Sequence, residues 1–424
     1  MVLKTFNMKL VVSMVCLAGV CGQVSLANEL SAAELLPVEK KLGQAWEVSW
    51  KRFYRDDTHL FYDYLISYEP GKELAHLPTK EEVQQQNPNE CGYGTGMEDG
   101  MISGGVMLSM ILDRAAVTGE EGLKERAFDA YQGIRACVTE EGFVSRAICH
   151  EDLKSFYPNS SRDQYTHAVH ALWHYADSPM CGVETKAEIG QLLSRIADRM
   201  TRNVIPENNY DSLRADGSRD TRGISRMWNV NSHEWSRLPM IYAAAWDVTG
   251  KQEYHDLWRN YIGEAVQKSR RVPKAESTYA LLQMQISLEM LTSLETDPAL
   301  KDTMQEIQAG IAEECQSRAL HANEAAKQLD LTMLCGDWRT TLGLSHKGKY
   351  RGVWYTIREC GEASLAQLGN EAVLTDEQQE VLNQSICRLD YDQVSSNGIF
   401  FLQAAYWKNR AHEELKHKAL KVVK

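Results

Sequence analysis

An all-α ring of helical hairpins, the (α/α)6 barrel or six-hairpin toroid, is the fold this sequence predicts. Three observations predict it. Apolar residues recur at spacings of three and four along most of the chain, as in Leu123, Ala127, Ala130, Ile134 and Cys137. Strand-like alternation bounded by turns is scarce. Helical stretches also alternate in character: "GGVMLSMILDRAAV" and "YALLQMQISLEMLTSL" are apolar on most sides, whereas the stretches that follow them are amphipathic and charged.

Taken in order, the pattern predicts a first helix over about 33–54. Five inner–outer pairs follow: 98–116 with 120–138, 161–177 with 183–203, 232–248 with 251–269, 275–295 with 298–318, and 351–368 with 374–388. A last helix over 396–413 packs on the first and closes a ring of six. The inner-to-outer turns are short and carry capping signals at Thr118, Ser178, Thr249, Thr296 and Thr375. The outer-to-inner connections at 55–97, 139–160, 204–231 and 336–350 are long and rich in Gly, Asn, Trp and Arg. Long structured loops are usually functional, so the site is expected at the rim where inner helices begin.

Residues 1–27 read as a secretory signal peptide. Lys4 and Lys9 precede the apolar run Leu10 to Val20, and Ser25-Leu26-Ala27 offers a cleavage point. Residues 28–424 are then expected to form a single toroidal catalytic domain, periplasmic or secreted. A net charge of −12 argues against nucleic acid, and no later apolar run is long enough to suggest a membrane span. Eight cysteines follow the leader, and in an exported chain one or two disulfides are expected among them.

Four segments could carry chemistry. "CGYGTGMEDGMISGG" opens an inner helix and delivers Glu98 and Asp99 to the rim. "YPNSSRDQYTH" opens the next, with Arg162, Asp163 and His167 in its first turns. A glycosidase needs two such acids, one to protonate the leaving oxygen and one to activate water or attack. "RGISRMWNVNSHEWSRL" supplies Arg226, Trp228, Asn231, His233, Glu234, Trp235 and Arg237: rings for sugar stacking, guanidinium forks for a carboxylate, and a His-Glu pair for proton transfer. "CGDWRTTLG" adds Asp337, Trp338 and Arg339. His167, His170 and His174 share one helical face with Asp163 but lack an H-E-x-x-H pattern, so no metal and no cofactor is expected. His174, roughly 16 Å deeper than Asp163 at about 1.5 Å per residue, is expected to be a satisfied core histidine.

With "GTGMEDG", "YPNSSRDQYTH" and "WNVNSHEWSR" at its rim, the chain resembles the six-hairpin glycosidase-like superfamily, nearest to the unsaturated glucuronyl hydrolases and bacterial exo-β-glucuronidases. That resemblance implies a rim aspartate acting as acid or base, matched on position by Asp163 or Asp99. The expected activity is hydrolysis of uronate-bearing glycans, with Asp163, Asp99, Glu98 and His233 as catalytic candidates. The alternatives are a polysaccharide lyase that uses Asn231, His233 and a tyrosine such as Tyr165, or a noncatalytic glycan-binding toroid.

Overall fold

The computed structural model of the protein describes residues 31–274, 276–340 and 348–422. The leader-like residues 1–27 lie outside the described residues. Helix α1 (Ser31–Val48) runs into a π-turn, Ser49–Phe53, and a two-stranded hairpin of β1 (Tyr54–Arg55) and β2 (Leu60–Phe61), with Tyr54 opposite Phe61. A short helix α2 (Lys80–Gln84) follows. Five hairpins come next: α3 (Gly100–Thr118) with α4 (Leu123–Ala136), α5 (Arg162–Asp177) with α6 (Val183–Asn203), α7 (Arg237–Thr249) with α8 (Gln252–Ser269), α9 (Thr278–Leu294) with α10 (Pro298–Ala326), and α11 (Tyr350–Ala366) with α12 (Asp376–Cys387). Helix α13 (Gly398–Val422) ends the described chain.

The odd-numbered helices from α3 to α13 pack each on the next, and α13 returns to α3, so the inner ring closes. Helix α1 packs on α12 and α13 as the outer partner of the last inner helix. The chain is therefore an all-α toroid, as its pattern predicts. Burial separates the two layers: α9 buries 13 of its 17 residues, whereas α6 buries 9 of 21. Helix α3 is long and apolar enough to cross a membrane, but 67% of its apolar window is buried inside the protein, as an inner helix requires. Helix α5 also touches α9, skipping α7 in the ring order.

The turn chemistry differs from expectation in detail. Thr118 and Thr249 do not begin the outer helices; they end α3 and α7, and Gly119 (φ 66°) and Gly250 (φ 70°) take the left-handed position that closes each helix. Thr375 does cap α12 in a reciprocal box with Gln378, and Asp297 caps α10 ahead of Pro298. Helix α10 runs on to Ala326, past the expected end at 318, because Ala319, Ala322 and Ala326 stay on its buried face. The expected disulfides are absent among the described residues. Six of the eight cysteines after the leader are buried, on elements as far apart in the ring as Cys137 after α4 and Cys315 in α10.

Glycine permits close approach of inner helices. A Cβ on Gly105 would sit 2.7 Å from the His167 carbonyl oxygen, so α3 and α5 approach there nearly backbone to backbone.

Candidate active site

The first turns of α3 and α5 lie side by side and bring two acids together. Gln164 ties them: its Nε2 donates to the Glu98 carbonyl (3.1 Å) and to Asp99 Oδ1 (3.4 Å), and its Oε1 accepts from the Met101 amide (3.3 Å). Each acid also has a guanidinium behind it. Arg358 Nη1 of α11 lies 2.6 Å from Asp99 Oδ2, and Arg237 Nη1 of α7 contacts Asp163 Oδ1. Both arginine side chains are almost fully buried, at 4% and 1% exposure, while the acids keep 17% and 27%. The carboxylates therefore present a face to solvent from a fixed cationic backing.

Two further residues hold this rim. Arg146, in the 139–160 loop, donates from Nη1 to the Glu98 carbonyl (2.7 Å) and from Nη2 to the Tyr93 hydroxyl (3.1 Å). Buried Asp63 accepts from the Asp99 amide (3.1 Å) and from Asn397 Nδ2 (3.3 Å), and its carbonyl accepts from Trp354 Nε1 (3.1 Å). One residue in the long 55–97 loop thus joins the start of α3 to α11 and to the start of α13.

The local charges set protonation. Burial pushes the Asp163 carboxyl up, but the charges of Arg237 and Arg162 outweigh it and hold the group below its ordinary value. His167, one turn further along α5, is pushed down to about 3, chiefly by burial, with Arg358 and Arg237 adding to the effect against Asp163. Its imidazole is neutral at physiological pH. Burial raises Glu362 to about 7 despite its 2.5 Å bond from Arg358 Nε. Burial, with the charges of Asp163 and Asp99, keeps the Tyr279 hydroxyl protonated, and both acids lie within electrostatic reach of it. The rim thus offers an ionised Asp163, Asp99 beside it, a neutral imidazole and a phenol.

Other candidates are occupied within the protein. Arg162 donates from Nη1 to the carbonyls of Gly223 (2.6 Å) and Arg226 (2.7 Å), and pairs with Glu234. Glu234 Oε2 in turn accepts from the Asn231 amide (3.1 Å). His233 Nε2 is 3.6 Å from Glu234 and its Nδ1 is 4.0 Å from Glu276; burial lowers its basicity. Asn231 is exposed.

The two tryptophans pack on each other at 4.5 Å, with Tyr261 on Trp228 at 4.6 Å and Lys268 over Trp235, and keep only 8% and 7% exposure. Little ring face is left for a sugar. Arg339 pairs with Glu82 (2.7 Å) and donates to the carbonyls of His76 and Leu77, and Trp338 Nε1 donates to the same His76 carbonyl. These two fasten one loop to another. Glu98 is buried, and its carboxylate accepts from the Gly94 amide of its own loop. Of the four arginines singled out in the sequence, only Arg226 has no ion pair or side-chain hydrogen bond among the described residues; it lies beside a small cavity of about 130 Å3 with Arg219 and Asp220. Tyr165 is fully buried, and its hydroxyl accepts from the Val144 amide (3.3 Å), so it cannot reach a substrate as a lyase base.

No known protein family matches the sequence, and no curated protein matches it. Among solved structures, the chain is similar to a crystal structure of a sugar epimerase from a ruminal bacterium, at 13% identity over 86% of this chain and 98% of that one, with a TM-score of 0.47. The toroid assignment stands on the closed order of the inner helices, independent of that likeness.

The histidine face divides in two. His167 sits under the rim acids. His170 and His174 line a cavity at the opposite end of the ring, and His174 Nδ1 has no hydrogen-bond partner, contrary to the satisfied core residue expected. Among the described residues, no three His, Cys, Asp or Glu side chains are grouped to hold a metal ion. Sequence reasoning passed over Arg358, Arg146, Asp63 and Tyr279. The signal for one of them was legible: Arg358 and Glu362 are an i, i+4 charged pair inside an otherwise buried inner helix.

Proposed function

We propose that this protein is a carbohydrate-processing enzyme whose substrate meets the Asp99–Asp163 rim, and that its reaction is hydrolysis of a glycosidic bond. The observation that supports this reading is the pair of partly exposed carboxylates on adjoining inner helices, each backed by a buried arginine. Asp163, kept ionised by Arg237 and Arg162, suits the base or nucleophile. Asp99, which accepts from the neighbouring Gln164, is assigned as the second carboxylate of the pair. Arg226, as the unengaged arginine of the 222–238 segment, is assigned to a uronate carboxylate. The lyase reading loses its tyrosine with Tyr165. On residues 1–27 we place the protein in the periplasm or outside the cell.

Incubation with a panel of uronate and neutral glycans tests the proposal. New reducing ends without an absorbance rise near 235 nm are expected, lost in Asp163→Asn and Asp99→Asn. An absorbance rise would mark a lyase. Full activity in both variants would remove the rim from the chemistry. Arg226→Ala should cost about 1.5–3 kcal/mol on a uronate substrate, the scale of a hydrogen bond to a charged group, and much less on its neutral counterpart.

A further inference from the structure

At the end of the ring away from the long loops lies a cavity of about 770 Å3, inside the roughly 300–1,000 Å3 range of small-molecule sites. Helices α3, α5, α9 and α13 supply most of its wall, and His167 marks its inner end. The wall is part apolar, with Val106, Met110, Leu282 and Ile286, and part strongly polar.

The polar part is built from two adjoining helices. Ser109 and Asp113 are one turn apart on α3, and His170 and His174 are one turn apart on α5. None of these four side chains has a hydrogen bond or ion pair among the described residues. Ser109 Oγ and His174 Nδ1 are wholly inaccessible yet unpartnered, which a folded chain ordinarily avoids. Across the cavity, Glu289 and Lys408 satisfy each other at 2.6 Å, and His412 Nδ1 is bonded to the Ala372 carbonyl at 2.7 Å. One side is internally paired and the other is open.

We infer that this cavity is a second ligand site, distinct from the rim, that takes a neutral polyhydroxylated molecule of mono- to disaccharide size. The imidazole of His170, Nε2 of His174 and the Asp113 carboxyl offer donors and acceptors, which is what sugar hydroxyls require on their side. The apolar wall receives the C–H faces of the ring. An anion finds no excess of cations, because Lys408 is held by Glu289 and the other lysines of the lining, Lys301 and Lys418, share it with Asp177, Glu371 and Glu414. Burial suppresses charge on both histidines and pushes the Asp113 carboxyl up to about 7, so the open side carries at most a fraction of one negative charge at neutral pH.

Calorimetric titration of the full chain with glucose, galactose, maltose, cellobiose, glucosamine and glucuronate tests this. Saturable binding of at least one neutral sugar is expected, unchanged in Asp163→Asn and weakened on the order of tenfold or more in Asp113→Leu and His170→Phe, since each removes one or two hydrogen bonds. Asp113→Leu removes a buried carboxyl and should still fold; circular dichroism and an unfolding curve confirm that. Binding of glucosamine alone, of glucuronate alone, or of none of the six would overturn the proposal. Binding that is lost in Asp163→Asn and kept in both cavity variants would also overturn it, while leaving the rim reading intact.

Discussion

Replacing Arg237 by Met removes a buried guanidinium and leaves Asp163 charged against α7. Breaking a buried ion pair by deleting one partner typically costs about 3–5 kcal/mol. Asp163 retains 27% side-chain exposure and stays within reach of Arg162 and Arg146, so solvent and the remaining charges lower the expectation to about 2–3 kcal/mol at pH 7. Urea unfolding should show this as a lower midpoint with an unchanged slope. The pH dependence gives a sharper check. The folded Asp163 carboxyl lies below its unfolded value, so the stability it contributes is present above about pH 4 and is lost as pH falls through its folded pKa. The difference between wild type and Arg237→Met should therefore shrink toward pH 3. In the double variant with Asp163→Asn, a coupling energy above about 1.5 kcal/mol is expected at pH 7. A coupling below about 0.5 kcal/mol, with a difference constant from pH 7 to pH 3, would falsify the assignment of Arg237 as the group that holds Asp163 ionised.

Three other outcomes follow from particular contacts. Gly105→Ala places a Cβ against the His167 backbone, which cannot rotate away, so a loss of about 1–3 kcal/mol is expected in urea unfolding; an unchanged midpoint would mean the two helices part freely. Asp113 binds its proton more tightly folded than unfolded, so its own contribution to stability should decline as pH rises from about 4 through 7, against the opposite trend of the buried histidines, which is common to both proteins. Asp113→Asn should remove up to about 4 kcal/mol of that decline at 1.36 kcal/mol per unit, less whatever cavity water screens, and parallel pH profiles for the two proteins would refute the shift. Glu362, also raised to about 7, titrates in the same range in both proteins and cancels in the comparison. Arg339→Ala should lower thermal stability by loosening the loop at residues 76–82, with equal effect on acidic and neutral substrates; a selective loss on acidic ones would return Arg339 to the binding site.

The sequence by itself determined the order and layer of the ring helices, though not the short α2, because a helix's surroundings are written in its apolar periodicity. The ends of α5 and α6 were read within a residue for the same reason: their periodic stretches are bounded by Ser161 and by Ser178 to Gly182. It also placed Asp99 and Asp163 at the starts of neighbouring inner helices, since those starts are where the long loops enter. What it could not determine is which charges satisfy each other, because pairs such as Asp99 with Arg358 and Asp163 with Arg237 join residues 259 and 74 positions apart. The ring closure that sets those partners also turned three of four candidate arginines into structural ties and Trp228 and Trp235 into packing. Only the tertiary structure decided that His170 and His174 face a cavity with Asp113. Whether an inner-helix side chain meets a neighbour or empty space depends on how distant helices pack, as in the α5–α9 contact, and no local pattern in the chain encodes that packing.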